Sequence, residues 1–128
     1  MTEEKDVFKF EDGEERFVIN EDHVVIYCIK KVKEGIVEVD NVYFFFENDK
    51  LVKAEAKYFF DNKELAKEAF DRIIREGDYE RDKCVLDDLM ISCDFSEVAI
   101  ADWGEDITEA KMVETLNDTI RLIDNPEE

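Results

Sequence analysis

The spacing of polar turn signals constrains this chain more than any other feature. Asp12-Gly13, Asn20-Glu21-Asp22, Lys33-Glu34-Gly35 and Asn48-Asp49 cut residues 1–60 into five apolar runs. Asp-Gly between residues 7–10 and 17–19 is the strongest short-range hairpin signal a sequence can carry. Residues 23–29 form an unbroken apolar run, the pattern of a strand covered on both faces. Residues 36–46 and 51–60 follow the next two turns. The first sixty residues therefore predict a five-stranded antiparallel meander.

Two helices follow from capping and periodicity. Residues 61–77 begin with Asp61 as N-cap and Glu64 three positions on, and Gly77 stands where a left-handed C-terminal residue belongs. Leu65, Ala66, Ala69, Phe70, Ile73 and Ile74 give the helix one apolar face. Residues 107–123 repeat the arrangement, with Asp106 and Glu109 at the start, Met112, Val113, Leu116, Ile120 and Ile123 as the stripe, and Asn125-Pro126 as the stop. Between the helices, residues 79–86 and 89–95 predict a hairpin turning at Asp87-Asp88, with residues 97–101 as a third strand. Val85, Leu86, Leu89, Met90 and Cys93 also fit a short helix; the Val, Ile and Phe around them favour strands. The expected fold is a single α+β domain over residues 1–128. Its curved antiparallel sheet, the five-stranded N-terminal meander plus two or three further strands, is packed by two helices.

At this length a second domain has little room. The 36 acids and 17 bases leave a net charge of −19, which opposes direct binding of nucleic acid or an anionic membrane. No apolar run is long enough to span a bilayer, and the acidic N-terminus has no signal-peptide pattern. Cys28, Cys84 and Cys93 are odd in number, contain no CxxC pair and lie among apolar neighbours. Buried free thiols and a cytoplasmic location are expected.

Catalytic constellations are not apparent. His23 is the only histidine and reads as a strand-edge residue. Neither Ser92 nor Ser96 sits in a nucleophile elbow, and the four glycines are isolated, so no phosphate-cradling loop is present. The EF-hand spacing is missing. The expectation is a protein that is not an enzyme and needs no cofactor or metal.

Charge distribution is the most specific signal. Residues 23–83 are nearly balanced at −2, whereas residues 1–22 carry −6 and residues 84–128 carry −11. A surface lined with carboxylates can imitate a phosphate backbone and is steered toward a basic groove. This favours an acidic inhibitor that occupies a basic, nucleic-acid-binding site on a partner protein, in the manner of phage anti-defence proteins or immunity proteins of nuclease toxins. The expected contact residues are Asp102, Trp103, Glu105, Asp106 and Glu109, with Asp87, Asp88 and Asp94 as a second patch. A solvated, solubilising surface would need the same acids. Trp103 either plugs the end of the core or presents an anchoring ring within the most acidic stretch.

Aromatic residues pose a second question. A two-residue turn at Asn48-Asp49 would set Phe46 opposite Leu51, Phe44 opposite Lys53, Val42 opposite Glu55 and Asp40 opposite Lys57. The face carrying Phe45, Tyr43 and Val39 with Val52, Ala54 and Tyr58 then reads as core. Phe44 and Phe46 fall on a mixed face, either covered by a helix or exposed as interface anchors. The main alternative function is a small-ligand-binding or regulatory domain with an apolar pocket between sheet and helices.

Overall fold

The computed structural model describes residues 7–9, 14–33, 36–77 and 81–124. Among the described residues, seven strands form one open antiparallel sheet in the order β1-β2-β3-β4-β5-β7-β6. The strands are β1 (Val7–Lys9), β2 (Glu14–Glu21), β3 (Val24–Lys33), β4 (Ile36–Glu47), β5 (Lys50–Phe60), β6 (Cys84–Asp87) and β7 (Met90–Asp94). The helices are α1 (Lys63–Glu76), α2 (Ser96–Trp103) and α3 (Glu109–Asp124), and a 3-10 turn, Arg81–Lys83, leads into β6. The expected meander is present as β1 to β5, and the hairpin β6–β7 extends it beyond β5. The turn residues Asp12-Gly13, Glu34-Gly35 and Asn125-Pro126 lie outside the described residues.

Several boundaries differ from expectation for identifiable reasons. The β2–β3 turn is Asp22-His23, both left-handed (φ 52° and 66°), so β2 extends through Glu21 and His23 sits at a turn tip. Asn, Asp and His tolerate this conformation better than other L-residues, and a two-residue turn of that hand matches the sheet's twist. The β6–β7 turn falls at Asp88-Leu89, one residue later than expected. Residues 97–101 are helical, not a strand, so the described residues hold three helices where two were expected. The Asp94 carboxylate accepts the Ser96 amide (2.9 Å), and the Ser96 hydroxyl in turn accepts the Ala54 amide (3.0 Å), so the chain leaves the sheet and winds. Helix α1 is capped by Asn62, not Asp61: its Oδ1 accepts the amides of Glu64 (2.8 Å) and Leu65 (3.2 Å). The Asp61 carboxylate accepts the Val37 amide instead. Gly77 ends the helix at φ 74°, as expected. Helix α3 starts after Thr108, whose hydroxyl accepts the Lys111 amide (3.2 Å), so Asp106 is not its cap.

The largest correction concerns which sheet face is core. A bulge in β5 makes Val52 an extra residue, so Phe46 pairs with Leu51 but Phe45 pairs with Lys53 and Phe44 with Ala54. That single residue exchanges the faces of everything after it. Phe44, Phe46, Leu51, Ala54 and Ala56 are buried on one face, while Val52 is 45% exposed. All three helices pack on the Phe44 face, so helices cover β3 on one side only: Val25 is buried there, while on the other face Val24 and Ile26 are half-exposed and Cys28 is buried among its strand neighbours.

Two apolar clusters fill that side. The first joins Val18, Val25, Phe44, Phe46, Leu51 and Ala54 to Ala99 of α2 and Met112, Leu116 and Ile120 of α3. The three α3 residues recur every fourth position and so share one helix face. The second joins Ala69 and Ile73 of α1 to Ile91, Cys93 and Cys84.

Candidate functional site

Three chain segments meet at one end of the sheet. The left-handed turns Asp22-His23 and Asn48-Asp49 lie side by side, because the Phe46 amide donates to the His23 carbonyl (2.9 Å). Strands in a sheet are about 4.8 Å apart, so tips two strands apart are separated by about 10 Å. The α2–α3 connection crosses the same end. Gly104 (φ 94°) closes α2, and the Glu109 amide donates to Asp49 Oδ1 (3.0 Å). Glu109 Oε1 lies 3.2 Å from His23 Nδ1. Residues 21–23, 47–50 and 102–109 together contain eight carboxylates against one lysine and one histidine. Glu21, Asp22, Glu47, Asp49, Asp102, Glu105 and Asp106 are exposed, and the Glu109 side chain is largely covered.

Part of this charge serves the fold. The N-terminus of α3 carries unsatisfied amides and a positive partial charge, and Asp49 and Glu109 answer both. The remaining acids are solvated.

The expected contact residues divide. Asp102, Trp103, Glu105, Asp106 and Glu109 are brought together at the turn end. Glu21, Asp22, Glu47 and Asp49 join them and were missed, because only the register reveals that those turns sit beside the α2–α3 connection. Asp87 and Asp88 lie at the opposite end, where the Phe60 amide donates to the Leu89 carbonyl (2.9 Å) and Lys63 pairs with Asp88 (3.1 Å). The length of β5 separates the two ends by about 30 Å. Asp94 is committed to the start of α2, and the hydrogen bonds from Ser96 hold its carboxyl below the usual range. Phe44 and Phe46 are core residues and offer no contact surface. Trp103 is half-buried and meets Phe44 edge-to-face at 5.8 Å, with Phe95 packing on the same ring at 6.2 Å, so it plugs the core at the acidic end.

Sequence reasoning also missed a polar group on the helix-covered face. Along β3 and β4, apolar residues give way to Lys31, Glu38 and Asp40 toward the Phe60 end. Lys31 Nζ lies 3.3 Å from Asp40 Oδ2 and 3.8 Å from Glu38 Oε2. On β2 nearby, the Arg16 guanidinium joins Glu14 to the Tyr27 hydroxyl. Asp40 is 8% exposed, and its Oδ1 meets no donor among the described residues. Burial pushes its carboxyl up to about 7, the neighbouring Glu38 adds to the rise, and Lys31 offsets only part of it. Tracking alternate residues of β3 and β4 would have found this group had the register been known.

Among the described residues no cluster of three or more His, Cys, Asp or Glu side chains is arranged to hold a metal ion. No described helix is long and apolar enough to cross a membrane. Neither protein-family models, nor curated proteins, nor solved structures give a match to this chain.

Proposed function

We propose that the chain is a protein-binding module whose acidic turn end occupies a basic, nucleic-acid-binding site on a partner protein and so inhibits it. One observation carries the reading: three segments remote in sequence converge to place seven exposed carboxylates at one end of the sheet. Such a concentration raises the association rate with a cationic groove and costs self-repulsion within the free protein. Trp103 lies beneath it, half-buried and packed on Phe44, and so fastens the acidic connection to the core. The rival reading, an apolar ligand held between sheet and helices, gains nothing from the packing above Phe44, where Phe95 and Trp103 already fill that space.

The test compares capture from a lysate of the source organism by three immobilised proteins at low ionic strength. One is the unaltered chain. The second carries Glu21→Lys, Glu47→Lys, Glu105→Lys and Asp106→Lys, which avoid the left-handed turn residues and the α3 cap. The third is a charge-matched control with Glu68→Lys, Asp71→Lys, Glu76→Lys and Asp87→Lys, all exposed and away from the turn end. The expected result is one basic nucleic-acid-handling protein released by a salt step, lost at least tenfold with the turn-end variant and retained by the control. Equal loss from both variants would reduce the effect to net charge and overturn the site.

A further inference from the structure

Cys84 and Cys93 stand directly opposite each other across the β6–β7 ladder. The two-residue turn Asp88-Leu89 makes Asp87 and Met90 the hydrogen-bonded closing pair. Pairs alternate outward from there, so Leu86 with Ile91 is non-hydrogen-bonded, Val85 with Ser92 hydrogen-bonded, and Cys84 with Cys93 non-hydrogen-bonded. Cα atoms in such pairs are about 4.5 Å apart, at the short end of the range that a disulfide spans. Both side chains point to the helix-covered face, beneath Ala69 and Ile73 of α1, and both are buried in the same cluster.

We propose that Cys84 and Cys93 form a reversible redox pair, oxidised to a cross-strand disulfide by a low-molecular-weight disulfide such as oxidised glutathione. Cys84 lies on the edge strand and Cys93 on a strand paired on both sides, so Cys84 reacts first. Its thiolate attacks one glutathione sulfur, the glutathione S–S bond breaks, and one glutathione thiolate leaves. The Cys93 thiolate then attacks the Cys84 sulfur of the mixed disulfide and expels the second glutathione. The two protein thiols lose two electrons, the oxidant gains them, and the two thiol protons end on the two released glutathiones. The same exchange run backward by reduced glutathione restores both thiols, so the link is reversible.

Two further observations set its behaviour. Burial, and then the neighbouring Cys84, raise the Cys93 thiol above its ordinary range, so reaction waits on local opening of the edge hairpin. Cys28 lies on the other sheet face, with β4 and β5 between it and β7, and cannot join the exchange.

The test incubates the folded protein with oxidised glutathione, in buffer and in urea below the unfolding transition, followed by intact-mass analysis, thiol titration and peptide mapping. The expected product has lost about 2 Da, retains one titratable thiol in place of three, and yields a Cys84–Cys93 linked peptide, faster in urea. Cys28→Ser leaves the crosslink intact. Cys84→Ser and Cys93→Ser abolish it. Three free thiols in both conditions would overturn the proposal, as would a glutathione adduct on Cys84 that never resolves or a link involving Cys28.

Discussion

Phe44 and Phe45 are adjacent residues with the same side chain, and they meet opposite surroundings. Phe44 is 4% exposed, enclosed by Phe95, Trp103 and the α2–α3 layer. Phe45 lies on the face without helices, half-exposed, stacked on Tyr43 at 6.4 Å with Lys53 Nζ 5.5 Å above its ring. Lys57 covers Tyr43 at the same distance. One face is closed by helices and the other by lysine stems lying over its rings. Composition does not separate the two faces; what is packed on each one does. Truncation measures the difference. Phe44→Ala should cost about 3–5 kcal/mol through lost burial and a cavity. Phe45→Ala should cost about 1 kcal/mol, because solvent fills the space and only the stack and the cation–π contact are lost. Urea midpoints at constant m-value check both, and equal losses would mean that the second face is buried in solution as well.

This contrast explains what the sequence could and could not reveal. Turn residues, the Gly77 terminus and the stripes of α1 and α3 are local signals, and the strands and those two helices follow from them, although the N-caps fall one or two residues later than Asp61 and Asp106. Face assignment is not local. The bulge at Val52 adds one residue with no marker of its own, since Leu51-Val52-Lys53 reads equally well as regular strand. A shift of one residue sends every side chain to the other face, so a bulge-free register sets Phe44 among charges and Phe45 in the core. Helix α2 was hidden for a related reason: Val98 and Ile100 look like strand residues, and the contacts that turn the chain, Asp94 to Ser96 and Ser96 to Ala54, need the assembled sheet. The acidic residues of the α2–α3 connection stood out as a run. Their companions on the turns, Glu21, Asp22, Glu47 and Asp49, became neighbours only through the register.

The helix-covered face is not uniformly apolar, and Asp40 measures how far its burial extends. The folded-state pKa of about 7 lies above the ordinary value of 3.8. The folded protein therefore holds this proton where the unfolded chain has released it, and the associated stability falls as pH rises from about 4 to about 7. Above that range the loss is complete. Asp40→Asn keeps the shape and removes the ionisation. It should stabilise the protein by about 2–4 kcal/mol at pH 8 and have little effect at pH 4. Urea unfolding of both proteins across that range supplies the check. A variant equally destabilised at both pH values would show that the Lys31 pair outweighs the burial of charge.

The smallest effect concerns how α1 is fastened over the second cluster. Asp61 and Asn62 are both suitable capping residues, and sequence alone favours Asp61 because Glu64 follows at the right spacing. In the fold Asn62 has the extended backbone of an N-cap (φ −146°, ψ 128°) and accepts two amides of the first turn, while Asp61 reaches across to β4. Asn62→Ala should therefore cost about 1 kcal/mol, and Asp61→Ala a few tenths, because its single exposed contact is long. The α1 layer covers Cys84, Ile91 and Cys93, so loosening its first turn should also speed amide exchange in β6 and β7 more than in β2 and β3. If Asp61→Ala has the larger effect on both readouts, the tie between α1 and β4, rather than the cap, secures the helix to its face of the sheet.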